Sequence, residues 1–120
     1  MRIKLEYFVL RCHDLEQSRA FYEAIGLRPV SEQHGKGAQH YACDLGGIVL
    51  ELYPSSGRAS FGVRVGLCVA SVSATLEAVR RAGGEIRRVH LDSPRASAVV
   101  LDPDGHEIHL TEEPRAPRDE

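Results

Sequence analysis

Gly46-Gly47-Ile48-Val49-Leu50-Glu51-Leu52-Tyr53 decides the fold, together with a second stretch, Asp104-Gly105-His106-Glu107-Ile108-His109-Leu110-Thr111. Each is a glycine turn leading into a strand. Successive side chains leave a strand on opposite faces. In the first stretch Ile48, Leu50 and Leu52 form an apolar face, with Val49, Glu51 and Tyr53 on the other. In the second, Ile108 and Leu110 are apolar, while Glu107, His109 and Thr111 point the opposite way. Glu51 and His109 hold corresponding places 58 residues apart. The chain therefore reads as one unit written twice, each half directing a polar residue to a shared cavity.

Working outward, residues 3–12 alternate as a strand. Asp14 follows as a helix N-cap, with Gln17 completing a capping-box pattern and Glu16 at the positive end of the helix dipole. Ser18, Phe21, Tyr22 and Ile25 share a helical face, and Gly26 ends the helix. Phe21 and Tyr22 read as core. Strands are predicted over 28–33, 39–45 and 48–53, with the loop His34-Gly35-Lys36-Gly37 between the first two. The stretch 54–60 is linker-like. The order then repeats: a strand over 62–70, a helix capped by Ser71 or Ser73 and stopped by Gly83-Gly84, and strands over 85–91, 96–101 and 106–111. Asp102-Pro103-Asp104-Gly105 is a hairpin turn rather than a calcium loop, since it lacks alternating oxygen ligands and a distal glutamate. Gly26 matches Gly83 at an offset of 57, and Asp44 and Gly47 match Asp102 and Gly105 at 58. The expected fold class is α+β: two βαβββ modules, 1–54 and 62–112, joined by a linker over 55–61. They form a curved mixed sheet with a cup-shaped cleft and helices outside. The tail over 113–120, rich in proline and charge, is expected to be disordered.

Composition removes several classes of function. A net charge of -2 over 120 residues gives no global field for nucleic acid or an anionic membrane. No apolar run is long enough to span a bilayer, and the N-terminus lacks a secretory pattern. The cysteines Cys12, Cys43 and Cys68 are odd in number and lie in apolar strand contexts, so they read as buried free thiols of a reducing cytoplasm.

Three passages resemble the vicinal oxygen chelate superfamily, which includes glyoxalase I, extradiol dioxygenases, and fosfomycin- and bleomycin-resistance proteins. They are residues 10–27, residues 47–53 and residues 101–110. The resemblance implies paired modules around a cleft, a small-molecule ligand and a homodimer in which modules pair within or between chains. It also implies a metal site with one residue from the first and fourth strands of each module. The matching positions here are Tyr7, Glu51, Arg64 and His109.

As a metal site that quartet is degenerate. Glutamate oxygen and neutral imidazole ligate well, but tyrosine ligates mainly when deprotonated, and arginine has no lone pair and stays cationic. Arg64 is therefore expected to stand in the metal's place and pair with Glu51, with Tyr7 and His109 completing a hydrogen-bonded floor and no cofactor. The alternative is a divalent zinc, nickel, manganese or iron held by Glu51 and His109. On the third strand, one of His40 and Tyr41 faces the cup, and His40 is a candidate proton shuttle. Tyr53, two residues beyond Glu51, and Arg11, of the same parity as Tyr7, are ligand-contact candidates. His34 reads as an exposed loop residue able to cover the cleft mouth. His13 and His90 read as exposed.

Three functions stay open on these residues. One is glyoxalase-type lyase or isomerase chemistry on a small polar molecule, with Glu51 as base and Tyr7 or His40 assisting. Another is metal-free, non-catalytic binding of a drug-like ligand. The third is metal-dependent dioxygenation, disfavoured because such centres prefer two histidines and a carboxylate.

Overall fold

The computed structural model describes residues 2–55, 57–92 and 94–114. Its first half runs β1 (Tyr7–Cys12), α1 (Leu15–Ala24), β2 (Val30–Glu32), β3 (His40–Asp44) and β4 (Val49–Pro54). The second runs β5 (Arg64–Val69), α2 (Val72–Arg81), β6 (Glu85–His90), β7 (Ser97–Leu101) and β8 (Glu107–Glu112). The α+β architecture of two βαβββ modules is the one the repeat predicts. Each module carries its own four-stranded mixed sheet, ordered β1-β4-β3-β2 and β5-β8-β7-β6. In both, the first strand pairs in parallel with the fourth and the remaining pairs are antiparallel. The first strand starts at Tyr7 rather than residue 3: the β4 ladder opens where Tyr7 meets Val49, and the Val49 amide reaches back only as far as the Glu6 carbonyl, at 2.9 Å. Of the expected disordered tail, residues 115–120 lie outside the described residues.

Local chemistry sets the helices. The Asp14 carboxylate accepts from the Gln17 amide at 3.0 Å, and the Ser71 hydroxyl accepts from the Ala74 amide at 3.1 Å. Both helices end in the same way. The Gly26 amide donates to Glu23 and the Leu27 amide to Tyr22, while Gly83 donates to Arg80 and Gly84 to Val79. This is the Schellman closure, and it puts Gly26 and Gly83 at φ of 111° and 77°, which glycine adopts without strain. The duplication is thus written into hydrogen bonding as well as sequence.

Each helix covers one face of its sheet. Leu10, Cys12, Cys43, Leu50 and Leu52 meet Phe21, Tyr22 and Ile25 in the first module, and Val65, Val100, Ile108 and Leu110 meet Val72, Leu76 and Val79 in the second. The two groups merge into one core, so the modules share a single hydrophobic cluster. A polar joint adds to it. The Tyr22 hydroxyl donates to Asp102 Oδ2 at 2.6 Å, and Asp104 accepts from the His13 amide and the Ser18 hydroxyl. Burial and the neighbouring Asp102 carboxylate push the Tyr22 phenol well above the usual range, so it stays a donor. Among the described residues, no helix is long and apolar enough to cross a membrane.

Candidate functional site

The uncovered face of each sheet carries the polar residues. In the first sheet, register places Glu32 opposite His40 and Ala42 opposite Glu51. Period-two alternation then puts Glu32, His40, Glu51, Tyr53, Tyr7 and Arg11 on one face. His40 is the better defined of these. It is only 1% exposed, although it lies on the uncovered side. Its ring stacks on Tyr53 with centroids 4.0 Å apart and planes 9° from parallel, and His34 leans over it at 5.2 Å. The Arg11 guanidinium lies 5.0 Å from the Tyr53 ring centre. His40 Nδ1 is 3.1 Å from the Ala38 carbonyl, which can only accept, so Nδ1 carries the proton. Nε2 lies 3.3 Å from Glu51 Oε2. It has no hydrogen-bond partner among the described residues.

Of His40 and Tyr41, therefore, His40 faces the cup. Tyr41 points the other way and donates to Glu16 at 2.6 Å. Tyr53 is a weaker acid than a free phenol because it is shielded from water and sits near the Glu51 carboxylate.

The expected pairing of Arg64 with Glu51 is overturned within the chain. Arg64 donates to Glu107, with Nε at 3.0 Å and Nη2 at 2.9 Å. The reason is register: Arg64 lies directly opposite Glu107 in the β5–β8 ladder, whereas Glu51 belongs to the other sheet. The Arg64 hydrogen bond and charge hold the Glu107 carboxyl below the usual carboxylate range. His109 lies 3.9 Å from the same carboxylate. It lines a small cavity of about 130 Å³ with Arg88, His90, Ser97 and Val99.

The four positions where the superfamily places its metal do not fit one here. Tyr7 is 59% exposed on an edge strand. Arg64 is committed to Glu107 and offers no lone pair to an ion. A guanidinium at the third position, Arg64, would also repel a cation.

Two residues escaped the sequence reading. Glu32 alternates with Val30 on β2 and lies opposite His40, a parity that a strand assignment already contained. His106, read as the first residue of the last strand, stands just before it, is fully buried, and its Nδ1 accepts the Val63 amide at 3.2 Å. Nothing local announces that bond. Phe21 and Tyr22 are core, and His13, His34 and His90 are exposed, as expected. Cys68 is exposed, against expectation, because it lies on the uncovered face of the edge strand β5, where the Arg95 guanidinium donates to its sulfur at 3.4 Å.

A cleft of about 1020 Å³ opens between the modules. Val30, Glu32, Ala42 and Val49 of the first sheet face Leu67, Cys68 and Val69 of β5 across it. It is large enough for a drug-sized molecule.

Comparison with known proteins agrees with this architecture. Residues 7–111 match the family model of the glyoxalase-like domain. Among solved structures, the oxidase ChaP-H2 superposes with a TM-score of 0.74 at 18% identity, covering 97% of this chain and 98% of its own. TnmS3, an antibiotic-binding protein from Streptomyces sp. CB03234, gives 0.74 at 22% identity, covering 95% and 99%. TioX from Micromonospora sp. ML1 gives 0.70 at 19%, covering 91% and 98%. Identities this low show a shared fold and no more. No curated protein sequence matches. With two βαβββ modules, duplicated helix ends and a match spanning nearly every described residue, the chain belongs to the glyoxalase-like domain family of the vicinal oxygen chelate superfamily.

Proposed function

We propose that this protein binds a small polar molecule against the open face of its first sheet, as one half of a homodimer whose other copy closes the cup. The observation that carries the reading is the Glu51–His40–Tyr53 group. A half-buried carboxylate and a stacked imidazole–phenol pair sit on a face whose outer members, Tyr7 and Arg11, are exposed. Glu51 offers lone pairs to a donor on the ligand, and Tyr53 and Arg11 offer donors and a planar surface. The dimer is supported by strand edges. β1 and β5 are both terminal strands of their sheets, and uncovered edges are generally paired or shielded. The binding role agrees with the antibiotic-binding description of TnmS3.

Sedimentation equilibrium and a thermal-shift screen of planar, hydrogen-bond-donating natural products test this reading. A dimer is expected, with at least one compound raising the melting point. Glu51→Gln should weaken that compound by about 10-fold or more, the order of one hydrogen bond to a charged group. A monomeric protein, or a Glu51→Gln variant that binds as tightly, overturns it.

A second reading is favoured by one contact, the 3.3 Å approach of His40 Nε2 to Glu51. A carboxylate beside an imidazole suits the proton transfers of lyase or isomerase chemistry. The same variant separates the readings: turnover would collapse in Glu51→Gln, while binding of a ligand with no donor aimed at Glu51 would survive.

A further inference from the structure

Glu32, His34, His40 and Glu51 each bring one donor atom to a common place, and all four atoms lie within 4.8 Å of one another. We propose that they form a divalent transition-metal site of the zinc class, built within the first module and displaced from the position the superfamily uses. The site stands on these four side chains, and requires neither the ligand nor the second copy proposed above.

Four observations converge on it. First, His40 Nε2 is buried and has no hydrogen-bond partner among the described residues. A buried polar atom left in that state needs an explanation. Second, the Ala38 carbonyl fixes the proton on Nδ1, which leaves the Nε2 lone pair aimed at Glu51. A histidine held through its other nitrogen by a carbonyl is the usual arrangement of a metal ligand. Third, Nε2 and Glu51 Oε2 are 3.3 Å apart without forming a hydrogen bond. Two donors bound at 2.0–2.1 Å to one tetrahedral ion stand about 3.3 Å apart. Fourth, the group gathers two carboxylates, and among the described residues neither Glu32 nor Glu51 pairs with a lysine or arginine.

The fold delivers these donors for local reasons. Glu32 and His40 are cross-strand partners in the β2–β3 ladder, and Glu51 is one strand further along. The turn between β2 and β3 brings His34 back over His40, closed by a 2.9 Å bond from the Gly37 amide to the His34 carbonyl, with Gly35 at φ of 59°. The buried pair, His40 and Glu51, already has its spacing. Glu32 and His34, on the edge strand and the loop, already place their donor atoms within 4.8 Å of that pair. Two imidazoles and two carboxylates suit zinc and its neighbours better than calcium or magnesium, which prefer all-oxygen shells.

The test is direct metal binding to the untagged, full-length protein, stripped with chelator and dialysed. Zn²⁺ is titrated by calorimetry and by competition with a chromophoric chelator, and Co²⁺ gives a ligand-field spectrum. One ion per chain is expected, with a four-coordinate cobalt spectrum. His34→Ala and Glu32→Gln, both at solvent-accessible positions that leave the core intact, should each weaken binding by more than about 10-fold, the loss that outer-sphere partners alone can cause. His40→Asn should remove it, with circular dichroism confirming the fold. Wild-type protein that binds no ion, or binding that is unchanged in His34→Ala and Glu32→Gln, overturns the proposal. So does binding lost in His109→Asn instead, which would put the ion on the second sheet.

Discussion

Cys12 and Cys43 lie beneath the helices, and burial raises both thiols from the ordinary 9.0 to about 11. Cys68 sits on an open face. A disulfide reagent at pH 8 should therefore titrate one thiol rapidly in the native protein and three after denaturation, and two fast native thiols would contradict the packing. The same shift has a thermodynamic sign. Folded protein keeps protons that unfolded chains release above pH 9, so stability falls as pH rises through the window from 9.0 to about 11. Urea midpoints measured across that window should decline. On the second sheet, Arg64 and Glu107 form a largely exposed pair. Arg64→Gln should leave the urea midpoint nearly unchanged, since exposed pairs stabilise little. It should also raise the Glu107 titration midpoint seen by NMR, because the hydrogen bond that lowers it is gone.

At the scale of elements, the helix ends make the sharpest prediction. A methyl group added at Gly84 would meet Val79 Cγ1 at 2.7 Å and the Val79 carbonyl at 3.2 Å. Val79 is fully buried and cannot move aside. Gly84→Ala should cost roughly 1–3 kcal/mol by denaturant unfolding, as an overpacked core does. A neutral result would mean the second Schellman closure is looser than described. These ends also show what sequence can carry. Caps, glycine stops and strand alternation act over a few residues, so element order, the hairpin at 102–105 and the polar face of β4 were all legible. Contacts between ladders were not. Arg64 was matched to Glu51 by analogy of position, but a long side chain finds the nearest carboxylate across its own ladder, and that is Glu107. The Glu32–His40 pairing lay within reach of alternation; it was lost because β2 is only three residues long and starts after Pro29.

For the molecule as a whole, the question is what makes two modules one body. The sheets do not join edge to edge, so the tie runs through α1, through the merged core and through Tyr22 and Asp102. Tyr22→Phe removes a 2.6 Å bond to a buried carboxylate and should cost about 1.5–3 kcal/mol, the range for hydrogen bonds to charged groups. Unfolding should remain a single transition in wild type by both fluorescence and circular dichroism. Two separate transitions would show that the modules are thermodynamically independent.

The Tyr22–Asp102 joint has a consequence for selectivity. It fixes the angle at which one half of the chain is presented relative to the other, and it does so on the far side of the sheet from Glu51 and Tyr53. A molecule lodged in the cleft between the modules would thus be gauged by a spacer it never touches. A chain of this kind can be retuned toward larger or smaller guests by changes around Asp102, Asp104 and Ser18, with every residue on the gripping surface left as it is.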